Sequence, residues 1–329
     1  MKIFITGASG FIGGQIVTKL CHKHDFFAMA RSKESEELVK SYGATPVICK
    51  LGEVKKEHLA DCEMVIHAAA FTKEWGSKKD FWQTTVEGTR QLLEIAKEAG
   101  IKKIIHISTE AILFTGKDLN EIDESYPYPS KSNFLYSESK LEAEKVALSM
   151  NEEDFQVCVI RPRLVWGPGD QTVLPVVIDM VKKGKFMWIN NGLNKTSHTH
   201  IYNLVHGVDC LIENWHQNEI FFITDEETHT YISFFTNYLN TVGVNPPNKS
   251  IPKWLIRFLA SLIEFSWKLL HLKSQPPLTR FSSYMLSSSF TISSKKAFDL
   301  LGYKPVICFN DAIENLKKRV PPLWWLNPL

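Results

Sequence analysis

Lys2-Ile3-Phe4-Ile5-Thr6-Gly7-Ala8-Ser9-Gly10-Phe11-Ile12-Gly13-Gly14 runs from a short apolar strand straight into glycines spaced Gly-x-x-Gly-x-x-Gly. A helical period follows in Gln15-Ile16-Val17-Thr18-Lys19-Leu20, so the order is strand, glycine turn, helix. Glycines let the backbone approach a pyrophosphate. The start of a helix offers that group unpaired N–H donors and the positive end of a dipole. A glycine turn without a ligand is the competing reading, and the correct strand and helix on either side count against it.

Beyond this segment, short apolar runs alternate with helical patterns. Strands are expected near Lys2 to Thr6, Phe26 to Arg31, Thr45 to Cys49, Met64 to His67, Lys103 to Ser108 and Gln156 to Arg161. Helices are expected at Gln15 to His22, Lys33 to Tyr42, Thr84 to Ala99 and Ser137 to Met150. Such alternation makes a parallel sheet covered on both faces, so the fold class is α/β, a Rossmann-type doubly wound parallel sheet. No internal repeat or low-complexity tract is present, and after Gly169 the periodicity becomes irregular.

A chain of 329 residues, 44% hydrophobic and 22% charged, has the balance of an ordinary globular protein with room for one large or two modest domains. Its net charge of +2 is spread along the chain and leaves no clustered basic face for nucleic acid. Cys21, Cys49, Cys62, Cys158, Cys210 and Cys308 lack zinc or redox spacing and read as small buried hydrophobes in a reducing compartment. Glycines interrupt the first apolar stretch, so no cleavable leader is expected and cytoplasmic residence follows.

Tyr136 and Lys140, four residues apart in Leu135-Tyr136-Ser137-Glu138-Ser139-Lys140, share one face of a helix. The ammonium is therefore expected beside the phenol, favouring its ionised form. Bringing a tyrosine from pH ~10 to roughly 7 takes on the order of 4 kcal/mol, which this cation and a bound cofactor's positive charge could supply. With nine Tyr and 38 Lys plus Arg, roughly one chance match of this spacing is expected, so the pair alone does not separate a proton-transfer site from a solvated helix face.

Gly7-x-x-Gly10-x-x-Gly13, Val65-Ile66-His67-Ala68-Ala69-Ala70, Val86-Glu87-Gly88-Thr89, Ser108-Thr109, Tyr136-x-x-x-Lys140 and Arg161-Pro162-Arg163-Leu164-Val165-Trp166-Gly167-Pro168-Gly169-Asp170 together resemble the extended short-chain dehydrogenase/reductase superfamily, across nearly the whole chain. Pro276-Pro277-Leu278-Thr279-Arg280 and Lys296 to Pro305 look most like its 3β-hydroxysteroid dehydrogenase-like branch, with the dihydroflavonol reductases as close cousins. The resemblance implies a dinucleotide held by Gly7, Ser9, Gly10, Phe11, Ile12, Gly13, Arg31, Leu51, Ala68, Ala69, Ala70, Lys140 and Pro162. It implies Tyr136 as general acid/base, Lys140 as its pKa modifier and nicotinamide-ribose ligand, and Thr109 as hydroxyl donor to the substrate oxygen, with Ser108 as the alternative donor. It also implies a dinucleotide-binding domain over 1–170, whose sheet receives residues near 200–224, and a smaller substrate-binding domain over 171–329.

Hydride arriving at a carbonyl carbon leaves negative charge on oxygen, which an aimed hydroxyl and a proton-donating phenol stabilise. Strand alternation points only one of Ser108 and Thr109 into the cleft, and Thr109 is the expected one. Sugar-nucleotide 4,6-dehydratases of the superfamily carry Thr-Asp-Glu where this chain has Thr109-Glu110-Ala111. The missing second carboxylate counts against dehydration and leaves epimerases open.

The second strand ends in Ala30-Arg31-Ser32-Lys33, with no carboxylate for ribose hydroxyls and two cations plus a hydroxyl that suit a 2′-phosphate. NADP(H) is expected over NAD(H), which stays open. Lys50-Leu51 stands where family members usually carry an aspartate, so the adenine contact is expected to be lost there. No metal site is expected: His198 and His200 read as structural, His67 and His106 as satisfied core histidines, and Asn203 as a helix cap.

From Ile251 to Leu272 the chain is strongly apolar. At about 100° per residue, Lys253, Arg257, Glu264, Lys268 and His271 fall within an arc of roughly 60°, expected to be the one stripe that meets water. Five ionisable groups exclude a bilayer span. The segment is expected either at a membrane surface, assisted by Trp324-Trp325, or as the roof of an oily pocket or a homodimer face. Both imply a substrate more apolar than a sugar nucleotide. The leading expectation is an NADP(H)-dependent oxidoreductase interconverting a secondary alcohol and a ketone on a sterol-like or long-chain 3-oxo substrate. A nucleotide-sugar epimerase with tightly bound NAD and a non-catalytic NADP sensor are the rivals.

Overall fold

The computed structural model describes residues 1–318. Seven strands, β1 (Lys2–Thr6), β2 (Asp25–Ala30), β3 (Thr45–Ile48), β4 (Met64–His67), β5 (Lys103–Ile107), β6 (Gln156–Pro162) and β7 (Ile220–Ile223), form one parallel sheet in the order β7-β6-β5-β4-β1-β2-β3. Side chains of alternate parity serve opposite faces. Ile3, Ile5, Ile66 and Ile105 pack with Ile16, Val17, Leu204 and Val208 from the helices Phe11–Leu20 and Ile201–Glu213. Phe4, Val65, Ile104 and Val157 pack on the other face with Leu92, Leu93 and Ala147. The sheet is thus doubly wound, as the alternation of runs predicts.

Strand order reverses between β1 and β4, which opens a crevice at their carboxyl ends. Gly7 leaves β1 with φ of 75°, and a Cβ there would stand 2.8 Å from Ala68 C and Ala69 N. The next helix begins at Phe11, ahead of the expected Gln15, because Gly10 already serves as its N-cap. The expected helix at Thr84 also starts early: Lys78–Phe81 leads through a wider π turn, Trp82–Glu87, into Gly88–Glu98.

A second, mixed sheet joins Thr228–Thr230, Lys195–Ser197, Phe290–Ile292 and Leu119–Ile122. Beside it lies an aromatic core of Trp166, Trp188, Phe234, Tyr238 and Phe309. Its strand Leu119–Ile122 comes from between Thr109 and Tyr136, so the segment joining these two residues is anchored in the smaller lobe.

Three expectations are corrected. Cys21 and Cys308 are exposed, not buried. Asn203 does not cap its helix, which His200 caps. Instead, buried Asn203 donates to Asp225 (2.7 Å) and to Ile307 O (2.9 Å) and accepts from Val306 N and Ile307 N, tying the carboxyl segment to the helix. The third concerns the helix Lys253–Leu269, whose polar stripe meets water only at its carboxyl end, at Lys268 and on to His271, and turns inward at Lys253, Arg257 and Glu264. Lys253 pairs with Asp118, Arg257 donates to Ser287 and Ser288, and Glu264 accepts from Arg280 N, while Trp254, Phe258, Leu262, Phe265 and Leu269 are exposed. Trp324-Trp325 lie outside the described residues. Among those described, no helix is long and apolar enough to cross a membrane.

Candidate active site

The crevice at the β1–β4 switch is built from the glycine turn outward. Gly13 presses on Gly7, where a Cβ would stand 2.7 Å from Gly7 C, so turn and helix interlock. Ser9, Phe11 and Ile12 are half-buried beside exposed Gly10, and no side chain caps the first-turn amides. That donor set, with a bare glycine rim, fits a phosphate anion.

Ala68, Ala69 and Ala70 leave β4 along the same rim, each half-buried. Thr89 donates to Thr85 O (2.6 Å), so it accepts from His67 Nε2 (2.9 Å). His67 Nδ1 then accepts from Thr6 (2.7 Å), and Thr6 accepts from Ala69 N (3.2 Å). One relay of hydroxyls thereby sets the imidazole tautomer and the position of the alanine loop. Burial and, less strongly, Lys140 push His67 down to about 3, so it stays neutral. His106 is a correction: both ring nitrogens are buried without a hydrogen-bond partner among the described residues.

Tyr136, Lys140, Thr109 and Ser108 come together where β5 ends. Lys140 lies in the Leu135–Ser149 helix and donates to Ile107 O at 2.8 Å. Burial pushes its amine down to about 8, with Glu144 opposing. Half-buried Tyr136 packs edge-on against Phe281, ring centroids 5.4 Å apart. The expectation of an acidified phenol is reversed here: burial first, then the charges of Glu110 and Glu74, push Tyr136 well up, and only a hydrogen bond with Thr109 pulls it down. Helix spacing brings Lys140 onto the right face, but its ammonium is committed to a backbone carbonyl. Ser108 Oγ is buried without a partner among the described residues, while the Thr109 side chain reaches Tyr136.

Two buried charges join this cluster that sequence reasoning gave no role. Glu110 accepts from Thr109 (2.7 Å) and from Arg163 (2.6 Å), and Arg163 also donates to Thr196 and Tyr231 of the smaller lobe. The signal was present: an acid inside an apolar run and a second arginine in Arg161-Pro162-Arg163 are charges that stay buried only when paired. Pro162 ends β6 between two such arginines. Arg161 is the other, held by Glu144 and by Tyr128 (3.0 Å).

At the far end of the crevice, Arg31 and Lys33 are exposed and make no ion pair among the described residues. Ser32 is less free than expected, because it caps the Lys33–Ser41 helix through Ser35. Leu51 packs against the missing Cβ of Gly88, a purely apolar contact.

The chain is similar to known proteins along its length. Over 324 residues the chain is 32% identical to the 4-hydroxy-2-methyl-3-oxo-4-farnesyl-3,4-dihydroquinoline-1-oxide ketoreductase of Stigmatella aurantiaca, covering 98% of this chain and 97% of that one. It is 31% identical over 327 residues to the decarboxylating sterol-4-alpha-carboxylate 3-dehydrogenase of Dictyostelium discoideum, covering 96% and 99%. A solved dTDP-glucose 4,6-dehydratase double mutant from Streptomyces venezuelae, with NAD bound, superposes with a TM-score of 0.77 over 99% of both chains at 19% identity, a likeness of fold alone. Residues 4–253 match the profile of the 3-beta hydroxysteroid dehydrogenase/isomerase family, and the chain belongs to that family.

Proposed function

We propose that this protein is a nicotinamide-dependent oxidoreductase that interconverts a secondary alcohol and a ketone on a hydrophobic substrate, with NADP(H) preferred over NAD(H). The observation that carries this reading is the convergence of Tyr136, Thr109 and Lys140 at the end of β5, in the crevice whose far rim is the glycine turn. A reduced nicotinamide, when bound, supplies the hydride. Tyr136, with its phenol pushed up, is protonated at neutral pH and suited to give a proton to a developing alkoxide. Thr109 is set beside it, its hydroxyl held by Glu110, and Lys140 brings a buried positive charge to the same wall.

The names of the relatives support an apolar substrate, since one reduces a farnesylated quinoline ketone and the other acts on a sterol. Epimerase chemistry is favoured only by fold likeness, such as the UDP-glucuronic acid 4-epimerase of Bacillus cereus at 18% identity. Following NADPH absorbance with ketosteroids, 3-oxoacyl compounds and flavonoid ketones tests the proposal. Stoichiometric NAD retained on the purified protein, with no ketone reduced, would favour the epimerase instead.

Two further outcomes are expected. Arg31→Asp places a carboxylate beside the 2′-phosphate position, so the KM for NADPH should rise roughly ten- to hundredfold while that for NADH holds or falls; an unchanged ratio removes the NADP(H) argument. Glu110→Gln removes a charge that raises the Tyr136 pKa, so that pKa falls and the alkaline limb of kcat/KM moves to lower pH. A limb that stays in place detaches it from Tyr136.

A further inference from the structure

We propose that Glu74 selects the substrate: its carboxyl accepts a hydrogen bond from a hydroxyl on the carbon next to the ketone carbonyl, so that the site takes an apolar α-hydroxy ketone or, in reverse, the vicinal diol. This substrate class rests on the proposed function and narrows it.

The partners of Glu74 place it over the site. It lies in the loop that continues from the alanine rim after Ala70. Thr279 Oγ1 donates to Glu74 Oε2, and two residues on from Thr279 the Phe281 ring packs edge-on against Tyr136, with 5.4 Å between centroids. The neighbouring Trp75 donates to Leu272 O at 3.4 Å. Loop and carboxyl segment thus meet above the phenol, with the acid between them.

Nothing in its surroundings balances that acid. Glu74 is half-buried and makes no ion pair among the described residues. Its neighbours are the hydroxyls of Thr279 and Ser282 and a second acid, Glu264. Burial pushes its carboxyl above the usual range against the pull of the two hydroxyls, and the charge of Glu264 adds to the rise. An acid turned inward without a cation costs stability, and such groups collect where a ligand binds.

Proton counting leaves room for that ligand. Thr279 spends its hydroxyl proton on Glu74, so Ser282 Oγ, 2.6 Å away, donates to Thr279 in turn. A carboxylate offers about four acceptor positions, and these hydroxyls do not fill them. Glu74 and Glu110 are the two acids whose charges act on the Tyr136 phenol. Glu110 already accepts from Thr109 and Arg163, which leaves Glu74 as the acid with acceptor capacity to spare. With Tyr136 and Thr109 on the carbonyl oxygen, a donor within reach of Glu74 as well sits on the adjacent carbon.

Reduction of benzoin and of deoxybenzoin, which differ only in that hydroxyl, tests this with the full chain and NADPH. The readout is the ratio of their kcat/KM values, because the intrinsic reactivity of the two ketones is common to every variant. Glu74→Leu should lower the preference for benzoin roughly ten- to hundredfold relative to wild type. Glu74→Gln, which keeps an acceptor and the bond to Thr279, should fall between the two. If Glu74→Leu does not fold, Glu74→Gln decides alone, with a fall of at least about threefold expected from the loss of charge. A role confined to closing the roof would slow both ketones alike, and an unchanged ratio overturns the proposal. So does wild type that reduces neither compound while turning over other ketones. A protein that reduces no ketone at all sinks the proposed function itself.

Discussion

Tyr136→Phe should lower turnover of the ketone by about 10²- to 10⁴-fold, the range by which a positioned proton donor accelerates such a step. The substitution removes only the hydroxyl. The ring keeps its edge contact with Phe281, so the fold and NADPH binding should survive. Single-turnover reduction followed by absorbance, alongside a fluorescence titration of NADPH, separates the two. Loss of turnover with dinucleotide affinity within about twofold is the expected pattern. Turnover that persists would place the proton donor elsewhere, and the hydroxyl of Ser108, without a partner among the described residues, would be the first place to look.

The largest effect on stability is expected from Glu144→Ala. Glu144 and Arg161 are both almost wholly buried, and Tyr128 donates to the same carboxylate at 2.7 Å. Removing the acid leaves a guanidinium without a counter-charge in the core, which costs roughly 3–5 kcal/mol. For a chain of this size that lowers the thermal midpoint by roughly 10 °C. Replacing both partners, Glu144→Leu with Arg161→Met, should recover most of the loss, because a buried pair often contributes little over well-packed apolar side chains. If the single variant melts with wild type, the pair is not what holds the helix Leu135–Ser149 to β6. Its failure to accumulate, with the double variant folded, supports the same account.

Where a function depends on local spacing, the linear chain was enough. The strand, glycine turn and helix of residues 2–20, the alternation that makes the parallel sheet, and the placement of Tyr136 and Lys140 on one helix face all follow from periods of 2 and 3.6 residues and from the steric demands at Gly7 and Gly13. Where the outcome depends on what lies across the core, it was not. The Tyr136 phenol is governed first by its burial and then by Glu110 and Glu74, distant or overlooked in sequence, while Lys140 spends its hydrogen bond on Ile107 O. Arg163 joins the Thr109 loop to the smaller lobe through contacts 33 and 68 residues away. The Lys253–Leu269 helix makes the difference plainest. Its periodicity sorted polar from apolar residues correctly, yet which stripe faces inward was settled by the hydroxyls of Ser287 and Ser288 and the amide of Arg280. Amphipathic spacing defines two faces of a helix, and only the groups packed against it decide which one is hidden.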